Sequence, residues 1–222
     1  MKYNKNFLYI IALISATPLT VEADSIPSAF SRPLTWQTGA EISFGGVPGS
    51  CEYLRGDNPE HRPVNKRFSA DLRAGFSFNP STREGILYKG LYQGIGIGVN
   101  SYFSPALLGT PFSAYAYQGA PIAHITNKLW IGYEWQFGAT FGWKHDNTPE
   151  PENHSVTSTA VTAHMGISFK FNYDITDRFK LSLGVGANHF SNGNTSWPNA
   201  GVNSIGAILG FTYLINPQKP EI

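Results

Sequence analysis

Apolar and polar residues alternate with a period of two along most of this chain. In KRFSADLRAGFSFN, Phe68, Ala70, Leu72, Ala74, Phe76 and Phe78 fall on one side, with Ser69, Asp71, Arg73 and Ser77 on the other. LWIGYEWQFGATFGW sets Leu129, Ile131, Tyr133, Trp135, Phe137, Ala139 and Phe141 against Gly132, Glu134, Gln136, Gly138 and Thr140. VTAHMGISFKFNY sets Val161, Ala163, Met165, Ile167, Phe169, Phe171 and Tyr173 against Thr162, His164, Ser168, Lys170 and Asn172. A strand turns successive side chains to opposite faces, so each segment predicts a strand with one apolar and one polar face. Eight such segments lie near 34–44, 66–78, 91–103, 112–119, 128–142, 156–173, 178–190 and 203–215.

Several of these segments are long for a soluble sheet, whose strands usually run to about five or six residues. Their apolar faces are rich in aromatics, and their charges lie opposite. That pattern predicts an all-β fold, an eight-stranded antiparallel transmembrane β-barrel of the bacterial outer membrane, with lipid outside and a polar interior. A lipocalin-like barrel or a sandwich is the soluble alternative. With both termini in the periplasm, the outer connections are 45–65, 104–111, 143–155 and 191–202, and the inner ones are 79–90, 120–127 and 174–177. Longer outer loops are what such barrels carry. Gly94, Gly96 and Gly98 share the inward face of the third strand and leave room for bulky neighbours.

Composition narrows the picture. Charged and aromatic residues each make up 14% of the chain, and the net charge of +1 offers nothing to nucleic acid. Cys51 is the single cysteine, so no internal disulfide forms. Lys2 and Lys5, the apolar run Phe7–Ala16 and the small-residue site Val21-Glu22-Ala23 predict a signal peptide over 1–23, leaving 24–222 as the barrel. His61, His124, His145 and His154 show no metal-ligand spacing, so neither a metal nor another cofactor is expected.

Candidate chemistry sits in HFSNGNTSWPNAGVN, residues 189–203. In the seventh strand Phe179, Leu181, Leu183, Val185 and Ala187 form the lipid face, and His189 and Ser191 share their parity. In the eighth, Asn203 shares the parity of Ile205, Ala207, Leu209, Phe211 and Tyr213. A base, a hydroxyl and an amide thus converge on the outer wall, where a membrane lipid is the accessible substrate. An imidazole beside a serine can take its proton and activate it. A third group must fix the imidazole tautomer, and the Asn203 side-chain oxygen can do so. The intervening turn supplies N–H groups of the kind that form an oxyanion hole.

This segment resembles the active-site segment of the lipid A 3-O-deacylase family of outer-membrane proteins: His-x-Ser-Asn, a short turn, Pro-Asn, then x-Gly-x-Glu. The resemblance implies His189 as general base, Ser191 as nucleophile and Asn199, after Pro198, as an aid to the oxyanion. It also implies backbone N–H groups near Gly193 and Asn194 as the rest of the hole. Asn203 stands where the family has Glu. A neutral amide orients a histidine but cannot stabilise imidazolium by charge; in a serine-protease triad, Asp to Asn costs about 10⁴ in turnover. The implied substrate is lipid A, or lipopolysaccharide, in the outer leaflet, with hydrolysis of an ester-linked acyl chain at the 3-position; the reading also leaves room for a homodimer. The rival readings are a non-enzymatic structural or adhesive barrel, favoured by Asn203, and an outer-membrane phospholipase.

Other residues carry blander expectations. Glu134 and Lys170 point inward as an ion pair, and His164 serves as an interior hydrogen-bonding group. Arg55, Arg62, Lys66 and Arg67 form a basic cluster at the first outer loop that suits lipid phosphates. Trp130, Trp143, Trp197, Tyr115 and Tyr117 suit interfacial anchors.

Overall fold

The computed structural model describes residues 34–145 and 155–217. The expected signal segment 1–23 and His154 lie outside the described residues. Eight strands follow one another around a closed antiparallel barrel: β1 (Leu34–Gly46), β2 (Lys66–Phe78), β3 (Tyr92–Ser101), β4 (Gly109–His124), β5 (Leu129–Trp143), β6 (Val161–Asp174), β7 (Phe179–Ser191) and β8 (Val202–Ile215). β8 closes on β1 through a ladder from Trp36↔Ile215 to Gly46↔Ile205. Closure removes both sheet edges, so each strand can satisfy its backbone polar groups inside lipid. Among the described residues, three short helices lie in the connections: α1 (Glu52–Arg55), α2 (Arg83–Tyr88) and α3 (Pro105–Leu108).

The alternation read from the sequence sorts the two faces. Leu72, Ile95, Phe137, Ile167, Leu183 and Ile205 are exposed on the outside, where lipid covers them. Inside, Arg73 bonds Glu41 at 2.8 Å and Glu134 at 2.6 Å, and Lys170 bonds Glu41 at 2.5 Å and Glu134 at 3.2 Å. The expected Glu134–Lys170 pair is therefore half of a four-charge ring tying β1, β2, β5 and β6 together. Glu41, Glu134 and Lys170 are buried, Arg73 is mostly so, and every charge is paired, as buried charges require. The inward glycines of β3 do make room. A Cβ on Gly96 would clash with the Tyr115 ring, and one on Gly98 would clash with the Asp71 carboxylate.

The largest departures from the expected strand bounds are at the end of β4 and the start of β6. β4 runs to His124 rather than stopping near 119, because a bulge between Pro121 and Ala123 lets the ladder pass a proline that cannot donate. The inner connection then shrinks to residues 125–128, where Thr126 Oγ1 accepts the N–H groups of Lys128 and Leu129. Thr176 does the same for Arg178 and Phe179 in the β6–β7 turn. β6 starts at Val161, not 156. Val156 is buried with Val47, Leu54, Val64, Tyr102, Leu107, Leu108, Trp143, Phe190 and Val202, in an apolar cap over the outer end of the barrel. Burial in that cap outweighs the strand pattern of residues 156–160.

The cap and lumen also correct the expected anchors. Trp130, Tyr115 and Tyr117 are buried because their parity turns them inward, whereas Trp143 has outward parity and is buried in the cap, just after Gly142, whose φ is +83°. Trp197 alone of the five is exposed, at 66%. Arg67 is not part of a basic surface: it is buried, donating to Asn100 Oδ1 from Nε at 2.9 Å and from Nη2 at 2.6 Å.

Candidate active site

β7 and β8 pair directly at the outer end of the barrel, with His189 opposite Asn203 and Phe190 opposite Val202. Phe190 and Val202 are buried in the cap. The alternation then places His189, Ser191 and Asn203 on the outer wall. His189 Nδ1 lies 2.8 Å from Asn203 Oδ1. An amide oxygen only accepts, so this bond holds the proton on Nδ1 and leaves the Nε2 lone pair free. His189 and Asn203 border an open hollow of about 440 Å³ on the outer wall, walled by Met165, Ile167, Ala187 and Ile205. Its apolar lining suits an acyl chain.

Ser191 is 9% exposed, so it sits beneath the rim rather than open on the lipid face. It makes no hydrogen bond to His189. Gly201 shows how near the two are: a Cβ there would lie 3.2 Å from His189 Cε1 and 3.7 Å from Ser191 Cβ. The imidazole and the serine therefore border the same small space, which Gly201 keeps open. Catalytic hydrogen bonds are often long until substrate arrives.

The turn between the strands is built around Asn192, a buried residue absent from the expected site. Its side chain donates to Ser158 Oγ at 3.2 Å and to Ser196 O at 2.8 Å, and accepts from Asn194 N–H at 2.9 Å. Its own N–H donates to Asn199 Oδ1 at 3.0 Å. The flanking segment locks on through Ala200 N–H to Val156 O and Ser158 N–H to Pro198 O, both 3.0 Å. An asparagine directly after the serine was the signal for this role. Its capacity for several bonds at once shows only when the turn is folded.

These bonds change the set of candidate oxyanion donors. The Asn194 N–H already donates to Asn192, so it departs from the expected pair. The Gly193 N–H has no partner among the described residues, and a Cβ at Gly193 would meet nothing within 4 Å. Asn199 uses its oxygen internally, so what its side chain has left to offer as a second donor is the amide nitrogen. No cluster of three or more His, Cys, Asp or Glu side chains suited to a metal ion occurs among the described residues.

No curated protein matches the chain. Among solved structures, Neisserial surface protein A (NspA) is 12% identical, with a TM-score of 0.51 over 82% of this chain and 96% of that one. The outer membrane enzyme PagL is 13% identical, with a TM-score of 0.49 over 78% of this chain and 97% of that one. The first shows the fold of an outer-membrane barrel. The comparisons give no support for a homodimer. The model of the lipid A 3-O-deacylase family (PagL) matches residues 135–212, from within β5 into β8, a span that contains every candidate site residue. The chain is an outer-membrane β-barrel that carries the lipid A 3-O-deacylase pattern in its C-terminal strands.

Proposed function

We propose that this protein hydrolyses an ester-linked acyl chain of lipid A, at the 3-position, in the outer leaflet of the outer membrane. The observation that carries this reading is the 2.8 Å bond from His189 Nδ1 to Asn203 Oδ1 on the lipid-facing wall, beside Ser191. In this reading Ser191 is the nucleophile, His189 the general base, and Asn203 the group that sets the tautomer. His189 Nε2 takes the Ser191 proton as Oγ attacks the ester carbonyl. The oxygen that gains charge is met by the Gly193 N–H and the Asn199 amide. Asn194 contributes by holding the turn through Asn192. The imidazolium then returns its proton to the departing sugar hydroxyl. Water, deprotonated by the same imidazole, cleaves the acyl-serine ester. No metal or cofactor takes part. Residues 1–23 act as the secretion signal, and residues 24–222 form the barrel.

The same wall suits two other readings. A phospholipase would use the same three residues on a glycerophospholipid. A non-enzymatic barrel is favoured by Asn203, which lacks the charge of a carboxylate. Mass spectrometry of lipids from cells expressing the native chain or Ser191→Ala separates them. The expected result is lipid A lighter by one ester-linked acyl chain with the native protein only. Lysophospholipid with intact lipid A would support the phospholipase. Unchanged lipids from a folded native barrel would support the non-enzymatic reading.

A further inference from the structure

Each outward site residue is flanked along its strand by inward ones. His189 lies between Asn188 and Phe190, and Asn203 lies between Val202 and Ser204. All four inward neighbours have definite partners inside the barrel. Asn188 Oδ1 is 3.0 Å from His164 Nε2. The Phe190 ring stacks on the His164 ring, with centroids 4.8 Å apart and planes at 24°. The Arg67 guanidinium lies 5.4 Å over the centre of the same Phe190 ring. Arg67 Nη1 also donates to Ser204 Oγ at 3.4 Å. Val202 packs in the cap beside Phe190 and Trp143.

His164 on β6 and Arg67 on β2 therefore hold both site strands from behind. His164 holds the two neighbours of His189, and Arg67 reaches one neighbour of each strand. Both are buried, so neither can touch a lipid substrate. A side chain's direction on a strand follows its backbone, so loosening the inward grip turns the outward residues. A shift of about 1 Å at reacting groups can cost about 10²-fold in rate.

We propose that His164 and Arg67 are positioning residues, which act through the backbone to keep His189 in register with Asn203 and Ser191 on the opposite face of the wall. The kinetic part of this proposal rests on the deacylase reading; the spectroscopic part does not.

The test uses the full-length barrel in micelles. His164→Leu removes the Asn188 bond and the ring stack. Arg67→Met keeps a side chain over Phe190 but loses the Ser204 and Asn100 bonds. His164→Gln can still donate to Asn188. Heat-dependent mobility on SDS gels identifies folded barrels. The deciding readout is the ¹⁵N spectrum of the His189 imidazole at alkaline pH. In the native protein it should show the Nδ1–H tautomer alone, and in the first two variants a mixture of tautomers. With lipid A as substrate, kcat should fall about tenfold to a hundredfold in those variants with KM nearly unchanged, and His164→Gln should recover most of the loss. An unchanged tautomer spectrum in folded His164→Leu and Arg67→Met overturns the proposal whatever their rates. A tautomer mixture in variants of an inactive native protein supports the positioning role and counts against the deacylase reading alone. Should His164→Leu not fold, Phe190→Leu loosens the same stack and is judged by the same spectrum.

Discussion

Gly201 is the residue at which the site is most open to a single-atom perturbation. Its φ is +67°, and a Cβ there would stand 3.2 Å from His189 Cε1, 3.3 Å from Phe190 O and 3.7 Å from Ser191 Cβ. Gly201→Ala has two separable effects. An L side chain in the left-handed region costs roughly 1–2 kcal/mol. That is small beside the roughly 5–15 kcal/mol of a typical fold, so the barrel should persist. The second effect is the contact. Carbon atoms prefer about 3.5–4.0 Å, so the imidazole must move by a few tenths of an ångström, and its 2.8 Å bond to Asn203 moves with it. A displacement of a few tenths of an ångström at the base corresponds to a loss of rate of about threefold to tenfold, on the scale in which a 1 Å error costs about 10²-fold. Gly142→Ala, at the end of β5 and outside the site, is the internal control. Its φ of +83° brings a similar backbone cost, and only Thr110 O, at 4.0 Å, comes near its Cβ. The assay is release of the acyl chain from lipid A in mixed micelles, followed by mass spectrometry, with heat-dependent gel mobility reporting the folded fraction. Gly201→Ala should lose more rate per folded molecule than Gly142→Ala at a similar loss of stability. A folded Gly201→Ala that works at the native rate, or one that loses no more than Gly142→Ala, would refute the argument that Gly201 keeps the imidazole in place.

Three further outcomes follow from the same geometry. Asn203→Ala removes the acceptor of the His189 Nδ1 proton and should lower deacylation by about 10²-fold or more, whereas Asn203→Glu should match or exceed the native rate, because a carboxylate also stabilises imidazolium; time courses of the three proteins test both. Asn192→Ala removes two donated bonds and one accepted bond that hold the turn, and should lower kcat while gel mobility still reports a closed barrel. Glu134→Gln leaves Arg73 and Lys170 short of a carboxylate inside the lumen and should destabilise the barrel by about 3 kcal/mol, read as a lower urea midpoint.

The alternation of side chains was enough to establish the barrel, its polar interior and the outward parity of His189 and Asn203, because a strand's two faces are a local property that any short window reveals; it did not show that Ser191 sits beneath the rim. The motif HFSNGNTSWPNAGVN carried the candidate chemistry for the same reason: its members lie within fifteen residues. What the chain could not reveal locally was the partner of each inward group. Arg67 reads as one of several basic residues at a loop, yet it ends among Asn100, Phe190 and Ser204, from three other strands. Trp143 has the look of a membrane anchor but packs in the cap and donates to Thr162 Oγ1 at 2.8 Å. Residues 156–160 continue a strand pattern, but leave the sheet because Val156 is buried under the loops and Thr157 pairs with Asn199. Asn192 reads as one polar turn residue among many, and only the folded turn lets one amide bind three groups. Faces follow from backbone geometry at each residue, and so were legible in the sequence. Partners depend on strand register, barrel closure and the return path of the outer loops, which exist only once distant segments have met, and so belong to the tertiary structure.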